Sequence, residues 1–162
     1  MTAYCYYLET PNYSLDATNN YKAIKELQVF VDRFPNSDRV KKCNDLLDEL
    51  RTILSKKAFE TAKQYFTTEN YKSAIISLEN VLIDFPSYTN REEVYFLIVK
   101  SSYLLAVNSI SVKVYPRLKE TLDAYAQFKD NYPNSDYLKD LENTYNKTNK
   151  TLTELKENKD EI

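Results

Sequence analysis

The chain has 162 residues and contains no glycine, no histidine and no tryptophan. Each of the first two absences removes a class of function. Without glycine there is no phosphate-cradling P-loop and no dinucleotide-binding turn. Tight hairpins also lean on glycine, so an all-β fold is not expected. Without histidine there is no Ser/His or Cys/His pair, and most zinc sites are gone. Serine and threonine are plentiful, but an activated nucleophile needs a base. The chain is therefore not expected to be an enzyme, and no catalytic, cofactor-binding or metal-ligating residue is assigned.

Cysteine and charge exclude further classes. The two cysteines, Cys5 and Cys43, fall within predicted helices and are expected to be half-buried there, with no basis for pairing them. The 22 basic and 24 acidic residues leave a net charge of −2, spread evenly along the chain. No basic field is available for a phosphate backbone, which disfavours nucleic acid. No apolar run approaches the roughly 20 residues that span a bilayer. Cys5 follows Met1-Thr2-Ala3-Tyr4, with neither a charged nor an apolar leader region. The segment is expected to be soluble, with any lipid anchor lying upstream of it.

What is present is a repeated stop. An apolar helical pattern runs into an aromatic–proline pair three times, at Phe34-Pro35-Asn36-Ser37-Asp38, Phe85-Pro86-Ser87-Tyr88-Thr89 and Tyr132-Pro133-Asn134-Ser135-Asp136. Four, seven and ten residues before each aromatic the chain is apolar: Phe30, Leu27 and Ile24; Val81, Leu78 and Ile75; Phe128, Tyr125 and Leu122. Those offsets share one helix face. The stops lie 51 and 47 residues apart, room for two helices per unit. A two-helix unit cannot bury its apolar face alone and stacks on its neighbours. The expected fold is all-α, a tetratricopeptide-like α-solenoid of about seven helices in antiparallel pairs. It is expected to form a single domain over residues 1–157, with a frayed tail over 158–162.

Individual elements follow from the same pattern. Thr2 to Thr10 reads as a short helix carrying Ala3, Tyr4, Tyr7 and Leu8, ended by Pro11-Asn12. Its uncapped start predicts either an N-terminally truncated fragment or an intermolecular partner for this stripe. A helix over Ala17–Phe34 has Asp16 or Thr18 as N-cap. Asp38 to Thr68 lacks proline and carries unbroken three- and four-residue spacings, which predicts one long bridging helix, or two with a slight kink. Asn70 stands where glycine usually ends a helix. Tyr71–Phe85 follows, then a helix from Asn90 to Val107 whose Asn90 and Glu93 have capping-box spacing. Its stripe is Val94, Leu97, Ile98, Leu104 and Leu105. After a loop at Asn108–Lys113, Pro116 suits the first turn of the helix ending at Tyr132. The last helix begins near Ser135 or Asp136, with Leu138, Leu141, Tyr145, Leu152 and Leu155 on one stripe. All five prolines thus fall at predicted helix boundaries.

Two features bear on binding. The 15 tyrosines and 7 phenylalanines could line a peptide groove, since tyrosine offers apolar area and a hydroxyl at low entropic cost. They could equally fill the space between helices, as expected for Tyr21, Tyr71 and Tyr132 at repeat positions. Tyr95 and Tyr103, on the first helix of a pair, are the groove candidates. The carboxylate pairs Asp48-Glu49 and Glu92-Glu93 sit among lysines and arginines, which favours solvated or capping roles over catalysis.

The segment Tyr21-Lys22-Ala23-Ile24…Phe30…Phe34-Pro35-Asn36-Ser37 resembles the tetratricopeptide-type unit, and Ala74-Ile75 through Phe85-Pro86 repeats it. A long connecting helix with Ala58, Ala62, Tyr65 and Phe66 lies between them. Leu15-Asp16-Ala17-Thr18 resembles the short segment before the central repeat of one family. The order as a whole resembles the middle and C-terminal repeats of the outer-membrane assembly lipoprotein family BamD (YfiO), over about Ala3 to Leu155. That resemblance implies a scaffold on the periplasmic face of the outer membrane, tethered through an upstream lipidated cysteine. Its implied partners are a BamA-type insertase and unfolded outer-membrane proteins. The alternative is a general tetratricopeptide adaptor or periplasmic peptide-binding protein. On either reading binding concentrates in a few anchors, expected at the exposed turns: Glu69, Asn70, Asn90, Arg91 and Glu93, together with Tyr95 and Tyr103.

Overall fold

The computed structural model describes residues 2–9 and 16–160. Among them it forms seven α-helices: α1 (Thr2–Leu8), α2 (Thr18–Arg33), α3 (Val40–Thr67), α4 (Tyr71–Asp84), α5 (Arg91–Val107), α6 (Ser111–Asn131) and α7 (Leu138–Asp160). The fold is all-α and of the tetratricopeptide-like helical repeat kind. The turn expected at Pro11-Asn12, the side chain of Ala3 and the terminal residues 161–162 lie outside the described residues, as do the side chains of 158–160.

The three stops share one geometry. Each aromatic leaves helical space at φ near −130° and ψ near +60°, with values of −131° and 57°, −127° and 70°, and −136° and 63°. The proline that follows bars its predecessor from the α region, so the helix ends there. Each aromatic N–H still donates back four residues, from Phe34 to Phe30, Phe85 to Val81 and Tyr132 to Phe128. Three residues on, the N–H of Ser37, Tyr88 and Ser135 donates to the aromatic's carbonyl. Ser37 and Ser135 then accept from the N–H of Arg39 and Tyr137 through their hydroxyls.

Inside each helix before a stop, the positions four and seven residues back carry most of the burial: Leu27, Leu78, Val81, Tyr125 and Phe128 are buried, and Phe30 is half-buried. Ten residues back the side chains are only half-buried. The buried position is one earlier, at Ala23, Ala74 and Thr121, small side chains that let helices approach closely. The same one-residue step corrects the tyrosine expectation. Tyr71 stands fourteen residues before its stop and packs on Phe66 with ring centroids 6.0 Å apart. Tyr21 stands thirteen before, a turn of about 100° around the helix, and is 61 % exposed while Asn20 takes the buried place.

The chain separates into two compact units, residues 1–60 and 61–162, with the boundary inside α3. In the first, α1 packs on α2, and the core is Ala23, Leu27, Leu47 and Leu50, surrounded by Tyr6, Tyr7, Ile24, Val31, Cys43 and Leu46. On α1 it is Tyr6 and Tyr7 that face this core; Tyr4 and Leu8 are exposed, contrary to the expected stripe. Cys5 lies outside the arc of those two tyrosines and is exposed, whereas Cys43 is half-buried as expected. The Tyr7 hydroxyl donates to Glu49 at 2.8 Å, and that carboxylate, aided by burial, raises the phenol's pKa. Asp16 accepts from the Thr18 N–H at 3.2 Å; hydrogen bonding from the Thr18 side chain, and after it this bond, holds its carboxyl below its ordinary range. The contribution of this bond is therefore present at neutral pH and lost as acid protonates Asp16.

In the second unit α5 packs against α4, α6 and α7. One cluster joins Val99, Tyr125, Phe128 and Leu141, and another joins Ala106, Leu118 and Leu152. Being flanked on several sides, α5 buries Val99, Ser101 and Ser102 along with the expected Val94, Leu97 and Ile98; Leu104 and Leu105 are half-buried. On α7 the helical period puts Thr144 and Thr148 between Leu141 and Leu152, and Tyr145 falls to the exposed edge. Both threonines donate to the carbonyl four residues back, so their burial leaves no lone hydroxyl.

Three local expectations are corrected. Pro116 lies inside α6 rather than in its first turn. It cannot donate to the carbonyl of Val112, a residue at the exposed start of the helix. Asn90 does precede α5, but its backbone, at φ −93° and ψ 39°, is not the extended one of a capping residue, and no side-chain cap forms there; Glu93 meets the ammonium of Lys63 at 2.7 Å. The residue that ends α3 in left-handed space is Glu69, at φ 60°, not Asn70. The Asn70 N–H donates to Tyr65 and the Glu69 N–H to Phe66, the two bonds of a Schellman motif. Glu69→Gly is accordingly expected to stabilise the fold by about 1 kcal/mol, by relieving the Cβ clash of that conformation. Urea denaturation checks it; a destabilised variant would show that the Glu69 side chain itself is needed.

Candidate functional site

The expected binding residues do not form one surface. Glu69 and Asn70 are exposed at the turn before α4, and Asn90 is exposed at the turn after it. The fourteen residues of α4 separate those turns by about 20 Å. Arg91 and Glu93 already have intramolecular partners. The Arg91 guanidinium donates to the carbonyls of Leu82 at 3.2 Å, Phe85 at 3.5 Å and Pro86 at 3.3 Å. It also lies beside the Tyr132 hydroxyl, where it opposes the rise that burial imposes on that phenol. Tyr95 is half-buried against Tyr132, with ring centroids 5.8 Å apart. Tyr103 is half-buried on the Ala106, Leu118 and Leu152 cluster. Glu69, Asn70 and Asn90 are therefore the exposed members of the set.

A concave site is present in the first unit. Tyr4, Leu27, Phe30, Cys43 and Leu46 line a groove of about 400 Å³, and Arg39 and Lys42 stand at it. The volume is that of a pocket able to bury a ligand. α1 supplies Tyr4, whose ring stacks on Tyr7 at 5.9 Å. α2 supplies Leu27 and Phe30 on the face that ends at the first stop, and the opening turns of α3 supply the rest. The Lys42 ammonium lies 5.6 Å from the centre of the Tyr4 ring, a cation–π distance. The groove combines an apolar floor, an aromatic wall and two cations. It holds no acid or base suited to chemistry, and among the described residues no group of His, Cys, Asp and Glu could hold a metal ion.

None of these groove residues was among the binding candidates from the sequence, although one signal was available. Eight residues after the stop aromatic the chain has Lys42, Glu93 and Asp140: one base against two acids. A second group of exposed apolar residues, Val107, Ile110 and Val112, marks the α5–α6 turn.

No helix among the described residues is long and apolar enough to cross a membrane. No curated protein matches the chain. The profile of the family YfiO, described as outer membrane lipoprotein, matches it over residues 1–114 and again over 65–157. The overlap of the two matches is what a recurring helical unit produces. With helical repeats throughout and a match that reaches from residue 1 to residue 157, the chain belongs to the YfiO family of outer membrane lipoproteins.

Proposed function

We propose that this chain is a non-enzymatic protein-binding scaffold in the assembly of outer-membrane β-barrel proteins, acting on the periplasmic face of the outer membrane. The observation that carries this reading is the family match across nearly the whole chain. The fold supports it. Packed helices joined by tight turns offer rigid surfaces at low ordering cost, which is how repeat proteins bind other proteins. The proposed partners are a BamA-type insertase and unfolded outer-membrane proteins. Attachment to the membrane would come through a lipidated cysteine.

Affinity isolation from gently solubilised native membranes, with a tag on the protein, tests the reading. A BamA-type barrel protein is expected to co-purify in near-stoichiometric amount. Its absence, with other soluble proteins recovered in its place, would favour a general tetratricopeptide adaptor instead.

A further inference from the structure

The three stops have the same backbone geometry, so positions at a fixed distance after the aromatic are structurally equivalent. Eight residues after the second and third aromatics stand Glu93 and Asp140, and both are satisfied within the chain. Glu93 pairs with Lys63 at 2.7 Å and Asp140 with Lys100 at 3.2 Å. At the equivalent place after the first aromatic stands Lys42, with the charge reversed. Among the described residues no carboxylate comes within 4.0 Å of Lys42 or of Arg39, and the nearby Asp38 and Asp45 make no ion pair with either.

The helix start sharpens the contrast. The first turns of α5 and α7 carry acids, Glu92 and Glu93 in one and Asp140 in the other. The first turn of α3 carries none. Arg39 stands just before it and Lys41 and Lys42 lie within it, cations at the positive end of the helix dipole, where negative charge is favoured. Arg39 and Lys42 are three residues apart, hence on one helix face, and that face meets the apolar groove.

We propose that this groove docks a helical segment of a partner protein that presents two side-chain carboxylates, one turn apart, around a large apolar side chain. The apolar residue would enter between Tyr4, Phe30 and Leu46. The two carboxylates would meet Arg39 and Lys42, supplying from outside the acid that the later units carry themselves. Two unpaired cations on one face call for two anionic groups, which a chain-terminal carboxylate does not provide. An amphipathic helix in a hydrophobic groove brings both at the required spacing. The inference rests on the chain being a protein-binding scaffold, but not on barrel assembly.

The test uses the whole 162-residue chain and a stapled helical peptide with glutamates at positions i and i+4 flanking one tryptophan. Because the chain has no tryptophan, the peptide's indole is the only one in the sample. Titration is expected to show a blue shift and saturable binding. Replacing both peptide glutamates by glutamine should weaken binding about ten-fold or more, as should Lys42→Glu combined with Arg39→Glu. Both side chains are exposed, so circular dichroism should be unchanged. A peptide with lysines in place of the glutamates should bind the doubly reversed variant better than the parent chain. Equal binding of the glutamate and glutamine peptides would overturn the proposal. So would equal binding of a peptide whose only carboxylate is its C-terminus, or loss of the signal to anionic phospholipid vesicles at the same charge concentration. If the peptide fails while a BamA-type protein still co-purifies, only the groove's assignment falls.

Discussion

Phe128→Ala is expected to destabilise the second unit by about 3–5 kcal/mol, the range for removing a fully buried phenylalanine. Phe128 is 0 % exposed and packs with Val99, Tyr125 and Leu141, which places atoms of α5, α6 and α7 around one ring. It also stands four residues before the third stop, and its carbonyl accepts the Tyr132 N–H at 2.9 Å. Truncation would leave a cavity that three helices cannot all close at once. The equivalent residue in the first unit, Phe30, is half-buried at the groove, so Phe30→Ala is expected to cost less than half as much. Urea denaturation followed by far-ultraviolet circular dichroism measures both. Equal losses at the two sites would mean that Phe30 is a core residue and that the groove is smaller than described.

Arg91→Ala is expected to cost about 2 kcal/mol, within the range for hydrogen bonds made by a charged group. The last carbonyls of a helix lack intrahelical partners, and a cation near them also answers the negative end of the dipole. Arg91 meets the carbonyls of Leu82, Phe85 and Pro86, so one side chain closes α4 and fastens the second stop to the start of α5. Its place beside Tyr132 ties that stop to the third. Arg91→Lys should recover less than half of the loss, because an ammonium lacks the planar fork that reaches several acceptors. Unchanged stability in Arg91→Ala, with weaker capture of a partner, would make Arg91 a binding anchor instead of a structural tie.

These two side chains show where sequence reasoning reached and where it stopped. Phe128 was legible: its distance from Tyr132 put it on the buried face, and its neighbours are buried for the same periodic reason. Arg91 read as an exposed turn residue, because nothing in the local pattern says that carbonyls five to nine residues earlier point at it. Tyr21 read as a packed repeat tyrosine, and a single residue of offset turned it to solvent. Helical period and proline sterics act over a few residues, so helices, their order and the three stops could be read from the chain alone.

The groove could not be read in that way. Whether Glu93, Asp140 or Lys42 is satisfied depends on a partner 30 or 40 residues away, or on the lack of one, and side-chain periodicity carries no information at that range. Read from the chain alone, the protein is an all-α succession of aromatic–proline-terminated helices without glycine or histidine. Only the tertiary structure decided which charges are spent inside the molecule and which stand free at the Tyr4–Phe30 groove, because ion pairing is set by the distance between helices and not by spacing along one.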